Sequence, residues 1–348
     1  MGRDADRGRG VRAAVYHGRH SVAAGEWPAP EIGAGELLLR LRGCGLCGSD
    51  IAKILVDHPA PAVFGHEVVG EVAQVGAGVE RFAVGDRVVV AHHVPCFTCH
   101  YCRRGSPSMC RAFKGSNLDP GGLAELIRVP APNVAYATFT VPAHVSDEAA
   151  SFVEPLGCCL RALRRARVEP GDTAVVIGLG SIGCLFVQLL RRAGARVVGT
   201  DGLAERVDLA KRLGGEAFGP GEAVARWVDE QSDGRGADLV VLTAGGATVL
   251  PWAAALVRDG GMIHSFAGGA GAELPLPLEA LYHRELTLTA TYSSSPADLA
   301  EAHALVTAGE VVVEPLITHR LPLSEVARGV ELMLRREALK VFVVPDGA

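Results

Sequence analysis

The first third of the chain alternates short hydrophobic runs with breaks that contain glycine. From Val11 to about Val129 these runs include Leu37–Leu41, Val68–Val75 and Arg87–Val90. Gly85-Asp86 lies just before the last of them and is a turn signal. Short apolar runs bounded by turn residues are typical of strands. The pattern therefore predicts an all-β subdomain over this region.

The pattern becomes helical near Asp147. Ser146 is placed to cap a helix, Glu148 would lie in its first turn, and the helical spacing continues through Arg161–Arg167. Gly171-Asp172 then ends this stretch. The sequence predicts a single helix that begins at about Asp147.

Strands and helices alternate beyond this point. Strands are predicted at Ala174–Ile177 and Arg196–Thr200, with a helix at Ile182–Ala193 between them. Later strands are predicted at Leu239–Thr243 and Met262–Phe266. Alternating elements of these lengths predict a parallel, doubly wound sheet.

A chain of 348 residues exceeds the usual size of one hydrophobic core, so two domains are expected. The tail from about Ser294 has a mixed pattern, and its last strand, Lys340–Val344, is predicted to rejoin the first domain. The fold class is therefore α/β with a separate β-rich domain.

Composition and charge exclude several functions. The formal net charge is −5 and the only basic pair near the cysteines is Arg103-Arg104, which argues against a nucleic-acid partner. The apolar window Thr173–Leu190 is interrupted by three glycines and fits a strand, a turn and a helix better than a membrane span. Met1–Gly10 is charged and glycine-rich, unlike a signal peptide, so a cytoplasmic protein is expected.

Four cysteines lie within fifteen residues, with the spacing Cys96-x2-Cys99-x2-Cys102-x7-Cys110. Four thiolates can surround one tetrahedral ion and leave no position open, which is the arrangement of a structural zinc site. An iron–sulfur centre shares the opening spacing, but here the fourth cysteine comes later and is followed by Arg111, not by proline. A disulfide framework would need an oxidising compartment. We predict a structural zinc lobe at about residues 92–114.

A glycine motif opens the second predicted helix. Gly178-x-Gly180-x-x-Gly183 follows a strand and precedes a helix, which is the context of a dinucleotide-binding turn. Asp201 ends the next strand eighteen residues after Gly183, where a carboxylate binds ribose hydroxyls and repels a 2′-phosphate. NAD is therefore favoured over NADP, although Arg206 tempers this preference. The residues predicted to hold the cofactor are Gly178, Gly180, Ser181, Ile182, Gly183, Asp201 and Arg206.

Three further segments could build an open metal site. They are Cys47 in C-G-L-C-G-S-D, His66-Glu67 after a glycine, and Glu154 in V-E-P-L. Thiolate, imidazole and carboxylate are zinc ligands, and three of them leave a fourth position for a substrate. Each also has a structural interpretation, since single cysteines are often small buried hydrophobes and a histidine can be satisfied within a loop.

Together these motifs resemble the zinc-dependent medium-chain dehydrogenase/reductase family, whose order of elements nearly the whole chain follows. The resemblance implies a GroES-like catalytic domain at residues 1–151 and 295–348, and a Rossmann NAD-binding domain at residues 152–294. The E-P-L sequence at Glu154 is similar to the branch that contains sorbitol, threonine and aminocyclitol dehydrogenases.

The resemblance also assigns metal ligands. It implies a catalytic zinc held by Cys47, His66 and Glu154, with Glu67 alternating with Glu154, and hence two zinc ions per chain. Cys44 lies three residues before the motif cysteine and stays outside the metal shell. The remaining cysteines are expected in the core: Cys158, Cys159 and Cys184.

Ser49 resembles the first proton-relay group of the family, and Asp50 is expected to support the shell by accepting a bond from His66 or from an arginine. Many relatives have a histidine three residues after that serine, where this chain has Ala52. Lys53, His58 or water could complete the proton path, or Glu154 could take the proton directly.

Two histidines precede the four lobe cysteines. By resemblance, His92 and His93 line the substrate pocket, where polar groups would suit a polyhydroxylated substrate; alternatively, both cap the zinc lobe. Lys53 and Lys114 raise the further possibility of a phosphorylated polyol.

The resulting hypothesis is an NAD-dependent, zinc-dependent dehydrogenase of a polyol, sugar alcohol or (amino)cyclitol, with a small alcohol or ketone as substrate. The expected assembly is a homodimer or homotetramer. Alternatives are a threonine-type 3-dehydrogenase, disfavoured by Ala52, a phosphorylated-polyol dehydrogenase, and a non-catalytic NAD-binding regulator, disfavoured by the intact open metal site.

Overall fold

The computed structural model describes residues 10–245, 249–267 and 276–347. Residues 1–9, which the sequence predicts not to form a signal peptide, therefore lie outside the described residues. Contacts between Cα atoms divide the chain into two units. The catalytic unit comprises Met1–Glu154 and Ser295–Ala348, and the nucleotide unit comprises Pro155–Ser294.

The strands within the described ranges are β1 Gly10–Gly18, β2 Ser21–Pro28, β3 Leu37–Leu46, β4 Ala62–Val63, β5 Glu67–Val75, β6 Arg87–Val90, β7 Leu126–Val129, β8 Thr138–Thr140, β9 Thr173–Ile177, β10 Arg196–Thr200, β11 Glu216–Phe218, β12 Ala237–Leu242, β13 Val257–Ser265, β14 Thr287–Ala290, β15 His319–Pro322 and β16 Val341–Val344.

The helices are α1 Gly48–Leu55, α2 His100–Arg103, α3 Arg111–Gly115, α4 Ala131–Tyr136, α5 Asp147–Ser151, α6 Val153–Ala166, α7 Ser181–Arg192, α8 Ala204–Arg212, α9 Glu222–Gln231, α10 Val249–Leu256, α11 Leu278–His283, α12 Pro296–Thr307 and α13 Val326–Leu334. Single 3-10 turns occur at Pro107–Met109, Glu314–Leu316 and Leu323–Glu325.

The larger sheet of the catalytic unit is built around β3. Its strand order is β15-β16-β3-β5-β6-β8, and β7 also pairs with β3. Leu39 and Leu41 of β3 are buried while Arg40 between them is exposed, because successive side chains of a strand point to opposite faces. The last strand, β16, pairs antiparallel with β3. It therefore returns to the first unit, as the sequence predicts.

The sheet of the nucleotide unit is parallel, with the order β11-β10-β9-β12-β13-β14. The first strand of the unit lies at the centre, and the order reverses direction between β9 and β12. Such a switch point is where doubly wound sheets bind ligands. This confirms the predicted fold class, which combines a Rossmann-type sheet with a β-rich GroES-like domain.

The apolar window Thr173–Leu190 contains β9, a turn and most of α7. Among the described residues, no helix has both the length and the apolarity that crossing a membrane requires.

Two sequence predictions about helices were wrong. The helix predicted from Asp147 is two helices, α5 and α6, which meet at Phe152. Pro155 cannot donate the N–H that a continuous helix would direct to the carbonyl of Ser151, so the chain begins a new helix there. The first domain is also not purely β, because Gly48–Leu55 forms a helix directly after the motif cysteine.

Candidate active site and metal centres

The four lobe cysteines lie together. Their sulfur atoms are all within 4.8 Å of one another, and Cys99 Sγ is 3.5 Å from Cys102 Sγ. Tetrahedral zinc with Zn–S bonds near 2.3 Å requires sulfur separations of about 3.8 Å. Cys99 precedes α2 and Cys110 precedes α3, so two short helices bring the four thiols around one point. The donor set fits one zinc ion with a closed shell.

The lobe also favours the thiolate form at one of its sulfurs. Cys96 is exposed, and a hydrogen bond from the backbone N–H of Thr98 is the main cause that lowers the pKa of its thiol to about 6. The backbone N–H of Cys96 itself donates to Cys110 Sγ at 3.4 Å. Backbone donors pointed at sulfur stabilise negative charge, which is the form that binds zinc.

A second group has three potential ligands. Atoms of Cys47, His66 and Glu67 lie within 4.8 Å of one another. Cys47 is the residue before α1, His66 immediately precedes β5, and Glu67 is the first residue of β5. A thiolate, an imidazole and a carboxylate fit zinc and leave a coordination position for a substrate. Within the described residues, this group would leave a coordination position open, whereas the four cysteines of the lobe would leave none.

Glu67 fits into the sheet because of a glycine on the neighbouring strand. Gly45 of β3 pairs with Glu67 of β5 in the ladder. A Cβ atom at position 45 would collide with the Glu67 carboxylate. The glycine therefore makes room for a buried carboxylate between two strands.

Asp50 orients the His66 ring. His66 Nδ1 lies 3.2 Å from Asp50 Oδ1, which leaves Nε2 directed at the other donors. Asp50 is fully buried and also accepts backbone N–H bonds from Gly65 at 3.2 Å and from Cys47 at 3.3 Å. Burial alone would raise the pKa of Asp50, but His66 outweighs it and lowers that pKa. A charged Asp50 therefore fixes the ring orientation.

The Ser49 hydroxyl lies at the edge of this group. Its Oγ is 3.4 Å from Cys47 Sγ and 3.4 Å from His66 Nε2, and the residue is exposed. A hydroxyl in this position can exchange a proton between the site and solvent. In the part of the chain that the structure describes, neither Lys53 nor His58 is hydrogen-bonded to Ser49.

Glu67 has a partner that the sequence analysis missed. Lys340 Nζ lies 2.6 Å from both Glu67 Oε1 and Glu67 Oε2, and the lysine is only 3% exposed. Burial alone would lower the pKa of Lys340, but the Glu67 carboxylate outweighs it and raises that pKa, with smaller contributions from Cys47 and then Glu154. The only sequence signal was a single lysine at the start of an apolar strand.

Glu154, the other predicted carboxylate ligand, is buried in the first turn of α6. It is not part of the group whose donor atoms lie within 4.8 Å of one another. It is near enough to Lys340 to contribute to that residue's raised pKa. Both candidate carboxylates therefore contribute to the raised pKa of Lys340.

The two histidines before the lobe cysteines have their rings next to one another and next to His66. Ring centroids are 4.6 Å apart for His66 and His92, and 3.7 Å apart for His92 and His93. His93 Nδ1 contacts the carbonyl oxygen of Ser116 at 2.7 Å, and its ring packs on Phe113. Burial lowers the pKa of His93 to about 4 and that of His92 well below its ordinary value, so both rings are neutral near pH 7. The contacts of His93 are those expected if it caps the lobe.

The glycine motif forms the turn between β9 and α7. Gly178 has a φ of 97°, a conformation that favours glycine. Thr243 Oγ1 is 2.7 Å from the Gly178 carbonyl oxygen, and a Cβ at Gly183 would collide with the same carbonyl. Ser181 and Ile182 begin α7, whose first turn carries backbone N–H groups of the kind that bind a phosphate.

Asp201 lies directly after β10 and is held from two sides. Its carboxylate accepts N–H bonds from Leu179 at 2.8 Å and from Leu203 at 3.0 Å. Arg206 Nη1 is 3.5 Å from the same carboxylate. These contacts link the acidic residue to the glycine turn and fix the position of its carboxylate.

Comparison with protein families gives two matches. The family model of the alcohol dehydrogenase GroES-like domain matches residues 33–143, and the family model of the zinc-binding dehydrogenase matches residues 181–308.

Relatives match over nearly the full length. A sorbitol dehydrogenase from Halalkalibacterium halodurans is 31% identical over 340 residues, which cover 95% of this chain and 98% of the relative. A D-arabitol-phosphate dehydrogenase from Enterococcus avium is 30% identical, and the match covers 90% of this chain and 91% of the relative. The solved structure of an alcohol dehydrogenase from Thermus sp. ATN1 is 32% identical and superposes with a TM-score of 0.83, covering 96% of this chain and 99% of that one.

Proposed function

The chain belongs to the zinc-binding alcohol dehydrogenase family, and from this membership we propose that it is an NAD-dependent, zinc-dependent polyol dehydrogenase. It would transfer a hydride between NAD and a secondary alcohol of a polyol, sugar alcohol or cyclitol. The observation that carries the proposal is the open donor set of Cys47, His66 and Glu67, whose donor atoms lie within 4.8 Å of one another. The sorbitol dehydrogenase relative supports the substrate class.

When bound, zinc supplies Lewis acidity toward the alcohol oxygen, and NAD supplies the hydride acceptor. The residues of the chain have the remaining tasks. Cys47 and His66 present their donor atoms, and Asp50 keeps the His66 ring in one orientation. Ser49 would take the proton released from the alcohol and pass it to solvent, because its hydroxyl is exposed and lies beside both donors.

Two zinc ions per chain and a preference for NAD are part of this proposal. The closed cysteine set supports the first ion and the open set supports the second. Asp201 supports NAD, because a fixed carboxylate at the end of β10 repels a 2′-phosphate. The Arg206 contact partly offsets this repulsion.

A substrate screen tests the proposal. We expect NADH formation with sorbitol, xylitol, D-arabitol or an inositol, at a kcat/KM at least about tenfold higher with NAD than with NADP because of Asp201. Absorbance at the NADH band measures the rate, and metal analysis of the same sample measures zinc. Ethanol and L-threonine serve as comparison substrates. A chain with zinc at both sites that oxidises no polyol faster than either of them would contradict the proposal.

A phosphorylated polyol is a second candidate substrate. One relative is a D-arabitol-phosphate dehydrogenase, and Lys53 supplies a cation on α1. Its Nζ lies 5.5 Å from the centre of the Phe64 ring, and among the described residues no carboxylate forms an ion pair with it. Including D-arabitol phosphate in the screen distinguishes a free from a phosphorylated substrate. Equal or better activity on the free polyol would reject the phosphorylated polyol as the substrate. The threonine-type dehydrogenase and the non-catalytic regulator gain no support from the relatives described above.

Replacing Ser49 tests the proton path. We expect Ser49→Ala to lower kcat by about 100-fold, the lower end of the usual contribution of a positioned proton-transfer group. Zinc content should stay the same, because the hydroxyl is not needed as a ligand. The pH dependence of kcat should also change. Ser21→Ala, which removes an exposed hydroxyl from β2, is the control. An unchanged pH profile in Ser49→Ala would remove Ser49 from the mechanism.

The assembly and the compartment are also proposals. The edge strand β14 has exposed residues, including Leu288, and follows α11, on which Leu278 and Tyr282 are exposed. An edge strand with apolar neighbours is suited to pairing with a second copy, so we expect a homodimer or homotetramer by light scattering. Among the described residues the nine cysteines form no disulfide, which suits a reducing cytoplasm.

A further inference from the structure

The backbone of Phe97 is strained although its side chain is exposed. Its φ is 62°, in the left-handed region that disfavours every residue with a Cβ atom and suits glycine. The side chain is 45% exposed, so the ring gains little from burial. It packs on the ring of Tyr136, with centroids 4.7 Å apart, and Tyr136 is itself 52% exposed. Strained residues are concentrated at functional sites, so this aromatic pair indicates a surface that another molecule covers.

The rest of the cysteine lobe has the composition of a protein interface. Besides the aromatic pair, its exposed large side chains are Tyr101 and Met109, and its exposed arginines are Arg103, Arg104 and Arg111. Phenylalanine, tyrosine, methionine and arginine are the residue types enriched in interfaces between proteins. The lobe is therefore suited to contact a protein.

The lobe is also a cationic surface on an acidic protein. Residues 88–118 contain four arginine and lysine side chains and no carboxylate, although the whole chain has a net charge of −5. Within the described ranges, none of these four cations forms an ion pair, whereas Arg42, Arg128 and Arg258 each do. Complementary charge would therefore come from a partner that presents carboxylates.

The same catalytic unit also has an acidic segment. Residues 295–319, which include α12, contain four carboxylates and no lysine or arginine. Three of these carboxylates are exposed, at Glu301, Glu310 and Glu314. Val312, between the last two, is 46% exposed. The segment thus presents negative charge together with an apolar side chain.

The cationic and the acidic surfaces both contact the stretch from Tyr136 to Thr140. Tyr136 packs on Phe97 of the lobe. Phe139, three residues later, stacks on His303 of α12 with centroids 5.2 Å apart. His303 Nε2 also lies 2.8 Å from the carbonyl oxygen of Thr140. Two surfaces of opposite charge are therefore neighbours on one unit.

We propose that the cysteine lobe and the acidic segment 295–319 form one self-complementary surface, and that a second copy of this chain covers it. Neighbouring patches of opposite charge match across a two-fold axis, because the lobe of each copy then faces the acidic segment of the other. Lobe against lobe would instead bring like charges together. This contact adds to the pairing of β14 strands, so that the two interfaces together build a tetramer from dimers. The inference extends the proposed homo-oligomer and does not depend on the polyol chemistry.

Phe97→Gly tests the aromatic part of the surface. Glycine adopts a φ of 62° without strain, so the variant should fold and bind as much zinc as the wild type. It should nevertheless dissociate from tetramers to dimers. The dissociation constant of this contact should rise about 30-fold or more, the effect of removing an aromatic hot spot. Sedimentation velocity of the zinc-loaded protein over a range of concentrations measures the assembly, and metal analysis measures zinc. A Phe97→Gly protein that keeps its zinc and assembles as the wild type does would overturn the proposal.

Exchanging charges tests the pairing of the two patches. Arg103→Glu/Arg104→Glu and Glu310→Arg/Glu314→Arg should each weaken the contact, and all four changes in one chain should restore it. High salt should weaken the wild-type contact, because it screens exposed charges. If both double variants weaken the contact and the fourfold variant does not restore it, the acidic segment is not the partner of the lobe and the proposal fails.

Lys211→Glu/Arg212→Glu is the matched control for the lobe variant. It reverses two adjacent exposed cations on α8 and changes the net charge by the same amount, so it should leave the assembly unchanged. Equal dissociation in this control and in Arg103→Glu/Arg104→Glu would assign the effect to net charge and overturn the proposal.

Leu288→Arg separates this contact from the pairing of β14. It places a charge on that edge strand, so Leu288→Arg and Phe97→Gly should each give dimers, and the two together should give monomers. A wild-type dimer that Leu288→Arg splits and Phe97→Gly does not would overturn the proposal and leave the lobe to an acidic partner protein. If Phe97→Gly splits the assembly and Leu288→Arg does not, the proposed β14 pairing fails and the contact through the lobe stands.

Discussion

Cys47→Ala is expected to contain one zinc ion per chain and to lose at least about 1000-fold in kcat/KM. The loss follows because Lewis-acid activation is worth several kcal/mol, and each 1.36 kcal/mol is a factor of ten in rate. Cys47 supplies the thiolate of the open set. Without it, only His66 and one carboxylate remain, and two donors are too few to hold the ion. Metal analysis and steady-state kinetics on the same preparation measure both effects. The fold should persist, because Cys47 lies at the start of α1 and not in the core.

Cys44→Ala is the matched control for this variant. Cys44 is three residues away on β3, is fully buried, and has a thiol whose pKa is raised mainly by burial. It should therefore keep two zinc ions and most of the activity while it loses some stability through the small cavity. The assignment of Cys47 would be wrong if Cys44→Ala, and not Cys47→Ala, lost the metal.

Cys99→Ser is expected to lose the other zinc ion and to destabilise the catalytic unit. Loss of a structural metal belongs to the class of changes that cost about 4 kcal/mol or more. For a unit of this size that free energy corresponds to a drop of roughly 8–16 °C in the unfolding temperature. Differential scanning calorimetry with metal analysis measures it. Some loss of activity should follow, because Phe113 of the lobe packs on His93, which stacks on His92.

Cys184→Ala controls for the loss of a thiol outside the lobe. Cys184 lies buried in α7 of the nucleotide unit, and burial raises the pKa of its thiol to about 12. It should retain both zinc ions. A Cys99→Ser protein that is as stable as the wild type and lacks only turnover would show that the cysteine lobe takes part in the chemistry.

The features that sequence could predict are local in the chain. The cysteine lobe spans fifteen residues, and the glycine turn is defined by Gly178, Gly180 and Gly183 within six. Such motifs have a meaning that depends on spacing alone, because a turn or a metal knuckle forms from neighbouring residues. The parallel sheet was predictable for the same reason, since apolar runs alternate with helical ones.

The features that sequence could not predict join distant segments. Lys340 and Glu67 are 273 residues apart, and nothing in either local pattern indicates that they meet. The contact of His93 with Ser116 depends on how the lobe folds back, which periodicity does not report. The break at Phe152 was missed because a helical pattern that contains proline can continue or stop.

The long separation of Lys340 and Glu67 has a consequence for biosynthesis. Ribosomes make β3 and β5 first, then the whole nucleotide unit, and only afterwards β16 with its lysine. At roughly 5–20 residues per second, about 14–55 s pass between the synthesis of Glu67 and the synthesis of Lys340. During that interval the nascent catalytic unit holds a carboxylate without the lysine that pairs with it in the finished fold. Completion of this unit is therefore expected to follow synthesis of the nucleotide unit, which a pulse-labelling experiment with conformation-sensitive proteolysis would detect as late protection of β5.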